Sequence, residues 1–357
     1  QTCALPIFVR PDATVAVSDY VLPDRDVLVR SFQICGPATR FFYHGTFAPQ
    51  VPNPKQNYDF DPVSAGYAAA WLADDQVVVH FQPKAPGKNP ISAAPPSASA
   101  LDIAYPGGGA FVAWGFLSAK GMSPIQFQVG ADRCERKVDA SAPQAGYDDA
   151  ADGRLSGNAL FVGPVNAALS TDLSGGDDTV TVLIATADSA EKAVALIRQA
   201  RAEGEAALRA KAVAHWQGLS AKTHLPAAAD AVTRRVILRS VLNVLTGQDR
   251  DSGAVVASIS RQPPYHFDYP RDSAFFDLTL DLAGFTAEVT KHHAFLVRTQ
   301  YRKEFGFSPV WMVNFRSPFF RPAGNWPQKI STDGSSPTNF WSNPCEIDET
   351  ALTVWNF

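Results

Sequence analysis

From Phe8 to about Ala187 the chain alternates short runs of β-branched and aromatic residues with Gly, Pro, Asn and Asp. The runs Val27–Ile34, Arg40–Phe47, Gln76–Phe81, Ala110–Phe116, Ile125–Val129 and Thr179–Ala185 predict strands, because branched and ring side chains suit a pleated, half-buried surface. Many short strands without helical periods between them predict stacked sheets and not strand–helix–strand units. Residues 8–187 are therefore expected to form a β-sandwich. The stretch Pro83–Pro96 holds five prolines. Each lacks a ladder donor, so a surface loop is predicted there.

At Asp188 the period changes. Asp188 and Glu191 stand as a capping pair before an Ala-rich, charged run, which predicts a joining helix over 188–217. Residues 218–357 then read as paired helices connected by long loops. Ile237, Val241 and Leu245 recur at four-residue spacing on one inward face. A helix from Arg271 presents Ala274, Leu278 and Leu282 as its apolar face and stops at Gly284. Thr286 is placed to cap the next helix, which runs to about Lys303, and a further helix starts at Asp348. The intervening Gly306–Pro344 is rich in aromatics, Pro and Gly, and a loop of that length in a compact domain is expected to be functional.

Composition narrows the partners. A chain of 357 residues with 46% hydrophobic content suits two cores. The 31 basic and 35 acidic side chains leave a net charge of −4. That balance gives no strong field for nucleic acid or an anionic membrane, so a neutral partner fits better. No apolar run reaches the roughly 18 residues of a membrane-spanning helix. Cys3, Cys35, Cys134 and Cys345 are scattered without a C-x-x-C pair, which suggests neither zinc nor a disulfide framework. His292 and His293 are neighbours and on a helix point about 100° apart, so no metal site is expected from them. Pro106–Gly109 reads as a turn and not as a dinucleotide loop.

Both ends have an artificial look. Gln1–Ile7 leads straight into strand-like sequence, and Thr2–Ile7 resembles a translated sequencing adapter, so residues 1–7 are expected to be foreign to the gene. Phe357 falls inside an apolar, helix-like run, and the chain is expected to be a fragment.

The segment with most chemistry is Tyr265-His266-Phe267-Asp268-Tyr269-Pro270-Arg271-Asp272-Ser273, where a loop enters a helix. Aromatic rings offer an apolar face to the C–H face of a pyranose, while a carboxylate and a guanidinium fix its hydroxyls. Read alone, Asp272 is more simply a first-turn residue serving the helix start. The segment resembles the Y-x-Y-x-W-P-R-D-[AS] signature of the glucoamylase family, glycoside hydrolase family 15. Asp348-Glu349-Thr350-Ala351 resembles the Q-L-D-E-T-A segment of the same family.

The resemblance implies an N-terminal β-sandwich followed by a truncated (α/α)6 barrel, here residues 218–357. It implies that Arg271 and Asp272 grip the terminal glucosyl unit of an α-glucan or gluco-oligosaccharide, and that Tyr265 faces the cleavage site. Tyr269 occupies the place of a Trp that contacts the same sugar. The loop from Thr332 resembles the region that sets a Trp beside the scissile bond, which implies Trp341. Glu346, Asp348 and Glu349 lie close in sequence, but at a helix start Asp348 and Glu349 read as a cap and first-turn charges. By the same resemblance the general acid lies in a later Trp-Glu-Glu segment and the general base beyond it. No catalytic residue is therefore expected within this chain, and the fragment itself is expected to be inactive. The implied parent is an inverting, exo-acting α-glucosidase that needs no cofactor. Bonds of the α-1,4, α-1,6 and α,α-1,1 types all occur among related proteins, so a family-15 trehalase stays open. So does a non-catalytic carbohydrate-sensing or scaffold protein, as in the regulatory subunits of phosphorylase kinase.

Overall fold

The structure is a computed structural model that describes residues 7–9, 12–47, 67–82, 97–101, 110–117, 125–132, 141–258, 266–303, 305–308, 319–321, 323–335 and 347–357. The chain divides into two compact units, one of residues 1–51 and 61–216, the other of residues 52–60 and 217–357.

The first unit is rich in sheet. Its strands are β1 (Ile7–Val9), β2 (Thr14–Val21), β3 (Val27–Gly36), β4 (Thr39–Gly45), β5 (Ala68–Leu72), β6 (Val77–Phe81), β7 (Phe111–Phe116), β8 (Gln126–Ala131), β9 (Leu160–Val162), β10 (Val165–Leu173) and β11 (Gly176–Ala187). They form one sheet in the order β1-β2-β3-β11-β7-β6-β5-β9 and a second in the order β4-β10-β8, with antiparallel neighbours throughout. Rings join the two sheets face to face. Trp71 of β5 stacks on Phe127 of β8 at 4.6 Å, and Tyr43 of β4 meets Trp114 of β7 edge-on at 5.5 Å. A short helix, α1 (Gly146–Asp149), lies against β8 and β10.

The opposite face of the larger sheet is also covered. The helices α2 (Ala190–Glu203) and α3 (Glu205–Lys222) set Ala193, Val194, Ile197 and Leu208 against Val29, Val77, Val79 and Leu183. This explains why β6 reads Val-Val-Val-His-Phe with every residue buried: its odd positions face the helices, while His80 faces Phe47 and Trp114.

The expected joining helix is two helices. Gly204 breaks it at φ +80°, ψ 157°, a conformation that only glycine adopts without strain. The N-cap of α2 is Ser189, whose side chain accepts from the Lys192 amide, while Asp188 instead forms an ion pair with Lys192. Ser189 takes the cap because its extended backbone (φ −143°, ψ 155°) aims the hydroxyl at the third helical amide.

The second unit is helical. It comprises the end of α3 with α4 (Ala231–Thr246), α5 (Pro270–Leu282), α6 (Thr286–Thr299) and α7 (Ile347–Asn356). Asp230 caps α4 by accepting from the Thr233 amide at 2.8 Å. Val241, Leu280, Phe285 and Val289 form one core with Leu219, Ile237 and Leu245 packed on it. Ala254, Phe295, Leu296, Trp326 and Ile330 form another. The expected loop Gly306–Pro344 contains ordered backbone: β12 (Phe305–Ser308) pairs antiparallel with β13 (Phe319–Arg321), and Trp326 Nε1 donates to Leu296 O at 2.7 Å. Pro83–Pro96 and Pro106–Gly109 lie outside the described residues.

Two local expectations are corrected in this unit. Thr286 does not cap α6; the N-cap position is Phe285, buried in the core, with no side-chain cap bond. The inward face of α5 is not Ala274, Leu278 and Leu282. Leu278 is 41% and Leu282 73% exposed, and the buried residues are Pro270, Ser273, Ala274, Asp277 and Leu280. Polar residues thus occupy the inner face of an apparently amphipathic helix. Among the described residues no helix is long and apolar enough to cross a membrane.

Candidate functional site

The start of α5 is the centre of the candidate site. Tyr269 holds the N-cap position with extended backbone and no side-chain cap bond, and Pro270 follows at the first helical position, where its fixed φ suits the helix. This leaves the Arg271 amide without an intrahelical acceptor. Glu349, from the first turn of α7, supplies one: its Oε2 accepts from Arg271 N at 2.5 Å. Arg271 Nη1 donates to Asp348 Oδ2 at 2.9 Å. That hydrogen bond, with the guanidinium charge, holds the Asp348 carboxyl below the usual carboxylate range.

Asp348 and Glu349 therefore do more than serve their own helix. Both lie in the first turn of α7, but Asp348 is committed to Arg271 and Glu349 is fully buried against the start of α5. The two helix starts are joined by charge.

Arg271 and Asp272 keep 38% and 44% of their side chains exposed, with 3.8 Å between Nε and Oδ1. A cation and an anion are thus brought together at a solvent-facing edge. Tyr269, in contrast, is buried, with Lys329 Nζ 5.8 Å from its ring centroid. Its ring is packed and presents no open face to a sugar. Tyr265 and Trp341 lie outside the described residues.

Beneath this edge lies a polar cluster. His292, on α6, is fully buried; its Nδ1 lies 2.6 Å from Asp277 Oδ2 and its Nε2 2.8 Å from Asp268 Oδ2. Burial alone would lower the pKa of His292, but the charges and hydrogen bonds of Asp268 and Asp277 more than reverse this and push it up to about 10. Asp268 Oδ2 also accepts from Val255 N, and Asn356 Nδ2 donates to Asp277 Oδ2 at 2.6 Å. Sequence reading set His292 aside as a poor metal ligand, took Asp268 only as part of its segment and Glu349 as a helix-start charge, and did not single out Asp277. The available signal was Asp277 four residues after Ser273 on α5, a polar stripe beside the apolar one. Among the described residues no group of His, Cys, Asp and Glu has the arrangement of a metal site.

No protein-family profile matches the chain, and no curated protein matches it. The solved structures do offer likenesses. A bacterial glucoamylase complexed with acarbose aligns over 97% of this chain and 43% of its own, with a TM-score of 0.58 at 10% identity. The fold is similar to that of this glucoamylase. A family GH92 alpha-mannosidase from Bacteroides thetaiotaomicron follows, with a TM-score of 0.39 at 14% identity over 69% of this chain and 29% of its own. A family GH92 inverting mannosidase from the same organism gives 0.35 at 10% identity, over 66% and 26%. This chain spans less than half the length of the glucoamylase. A sheet-rich N-terminal part followed by a helical part is the architecture shared with it.

Proposed function

We propose that this chain is the N-terminal β-sandwich (8–187), joining helical segment (188–217) and first part of the (α/α)6 barrel (218–357) of an inverting, exo-acting α-glucosidase. Its parent releases glucose from the non-reducing ends of α-glucans. The chain's own share in this is binding, through Arg271 and Asp272, of the terminal glucosyl unit, with Tyr265 and Trp341 as aromatic neighbours. Tyr269 serves as packed support below the pair.

The observation that carries the reading is the half-exposed Arg271–Asp272 pair at the start of α5, within a segment resembling the glucoamylase signature. A guanidinium and a carboxylate together donate to and accept from vicinal hydroxyls, which is what a neutral sugar offers. The likeness in fold to a glucoamylase that was solved with acarbose supports the same reading. The barrel assignment draws support from the outward apolar residues of the helical unit: Phe275, Leu278 and Leu282 on α5 and Val354 and Trp355 on α7 are exposed, as befits a layer that further helices cover.

Calorimetric titration of the chain with acarbose tests the proposal. Saturable binding that weakens at least tenfold in Asp272→Asn is the expected result. Binding unaffected by that substitution, or absent, overturns it. Glucose release from maltose or dextran by the chain itself would overturn the assignment of both catalytic carboxylates to a later segment.

A further inference from the structure

The Asp268–His292–Asp277 cluster is buried throughout, with no side-chain exposure at any of the three residues. A neutral imidazole has one N–H and one lone pair, so it can satisfy a carboxylate at only one ring nitrogen. Here a carboxylate oxygen stands at hydrogen-bond distance from each nitrogen. A ring that donates to both oxygens carries a proton on each nitrogen. Burying such ions adds little net stability, since their desolvation offsets their attraction, but it fixes geometry.

The geometry fixed is that of the candidate site. Asp268 exchanges backbone hydrogen bonds with Ile330, N to O at 2.8 Å and O to N at 2.9 Å, and takes the Val255 amide on the same Oδ2 that faces His292. Asp277 lies on the inner face of α5, whose first turn bears Arg271 and Asp272, and it also receives Asn356 from α7. His292 therefore ties α6 to both sides of the Arg271–Asp272 edge, through the residue three positions before Arg271 and through the body of α5.

We propose that His292 is a positioning residue for the Arg271–Asp272 edge: its doubly protonated ring, donating to Asp268 and Asp277 together, locks the segment 266–272 and the body of α5 to α6. The role assigned to that edge rests on the sugar-binding reading; the lock itself does not. Loss of the ring's two donors leaves two buried carboxylates facing each other across a gap, and the segment on the Asp268 side must shift to hydrate its charge.

The test compares the chain with His292→Gln. Nitrogen shifts of the His292 ring at pH 7 should report both nitrogens protonated. Amide hydrogen exchange over 266–272 should accelerate at least tenfold in the variant while α4 stays unchanged, and acarbose affinity should fall at least tenfold. One unprotonated ring nitrogen in the unsubstituted chain, or unchanged exchange over 266–272, overturns the proposal. Should the unsubstituted chain not bind acarbose, the sugar reading fails, while the exchange comparison still decides on His292. If His292→Gln loosens α4 as well, Asp268→Ala, which removes the ring's acceptor on that side, replaces it in the same comparison: faster exchange confined to 266–272 supports the lock, and unchanged exchange refutes it.

Discussion

At the scale of single residues, Asp272 separates a helix-end role from a ligand role. It sits at the third helical position after Pro270 and Arg271 and makes no cap bond; the cap position belongs to Tyr269. Its service to the helix is limited to the dipole, about 0.3–1 kcal/mol. A charged hydrogen bond to substrate is worth ~3 kcal/mol, about a hundredfold in rate. In the proposed full-length α-glucosidase Asp272→Ala should therefore lower kcat/KM on maltose or isomaltose about a hundredfold and move Tm by only a few degrees. The reverse pattern, intact kinetics with lost stability, would return Asp272 to the helix. Arg271 and Asp272 stood out in the sequence because their motif is contiguous. The joining of His292 to Asp268 and Asp277, and of Glu349 to the start of α5, was not legible, since the partners come from separate elements and only the fold brings them together.

At the scale of elements, each of the six runs read as strands from side-chain type overlaps one, and two of the strands not predicted have a physical reason. β5 reads Ala-Ala-Ala-Trp-Leu and β10 contains Ala167-Ala168-Leu169, so local propensity favours helix while two-sided burial in the sandwich makes them strands. The face of α5 was misread for the opposite reason. Leu278 and Leu282 look like core and are exposed, while Ser273 and Asp277 look like surface and are buried, Asp277 against His292. Paired substitutions check the corrected face: Leu280→Ala should cost about 2–5 kcal/mol in urea unfolding, whereas Leu282→Lys should stay within about 0.5 kcal/mol. Equal losses at both positions would reject this orientation of the helix. The break between α2 and α3 has its own test. Gly204→Ala meets no atom within 4 Å but must adopt a strained backbone, so a loss of about 1–3 kcal/mol is expected from the turn alone.

At the scale of the whole molecule, each unit buries a histidine, and the two are shifted in opposite directions. In the sheet-rich unit His80 is fully buried among Phe47 and Trp114, and burial lowers its pKa to about 3, a Phe47 backbone hydrogen bond offsetting only part of this. In the helical unit His292 is raised to about 10. Between the unperturbed value of about 6.5 and the folded value of about 3, an unfolded chain binds the proton that folded His80 refuses. The sheet-rich unit therefore loses stability as pH falls through this window, by up to about 1.4 kcal/mol per pH unit. For His292 the sign is reversed. The folded state holds a proton that the unfolded state releases above about 6.5, so the contribution is complete below that pH and is lost as pH rises towards about 10. Urea unfolding at pH 4, 7 and 9.5, followed by segment-resolved hydrogen exchange, should show β6 and β7 weakening on the acid side and α5 and α6 on the alkaline side. His80→Leu should flatten the acid limb and leave the alkaline one; His292→Gln should do the opposite. A single limb shared by both sets of segments, unmoved by either substitution, would mean that neither histidine governs the pH response.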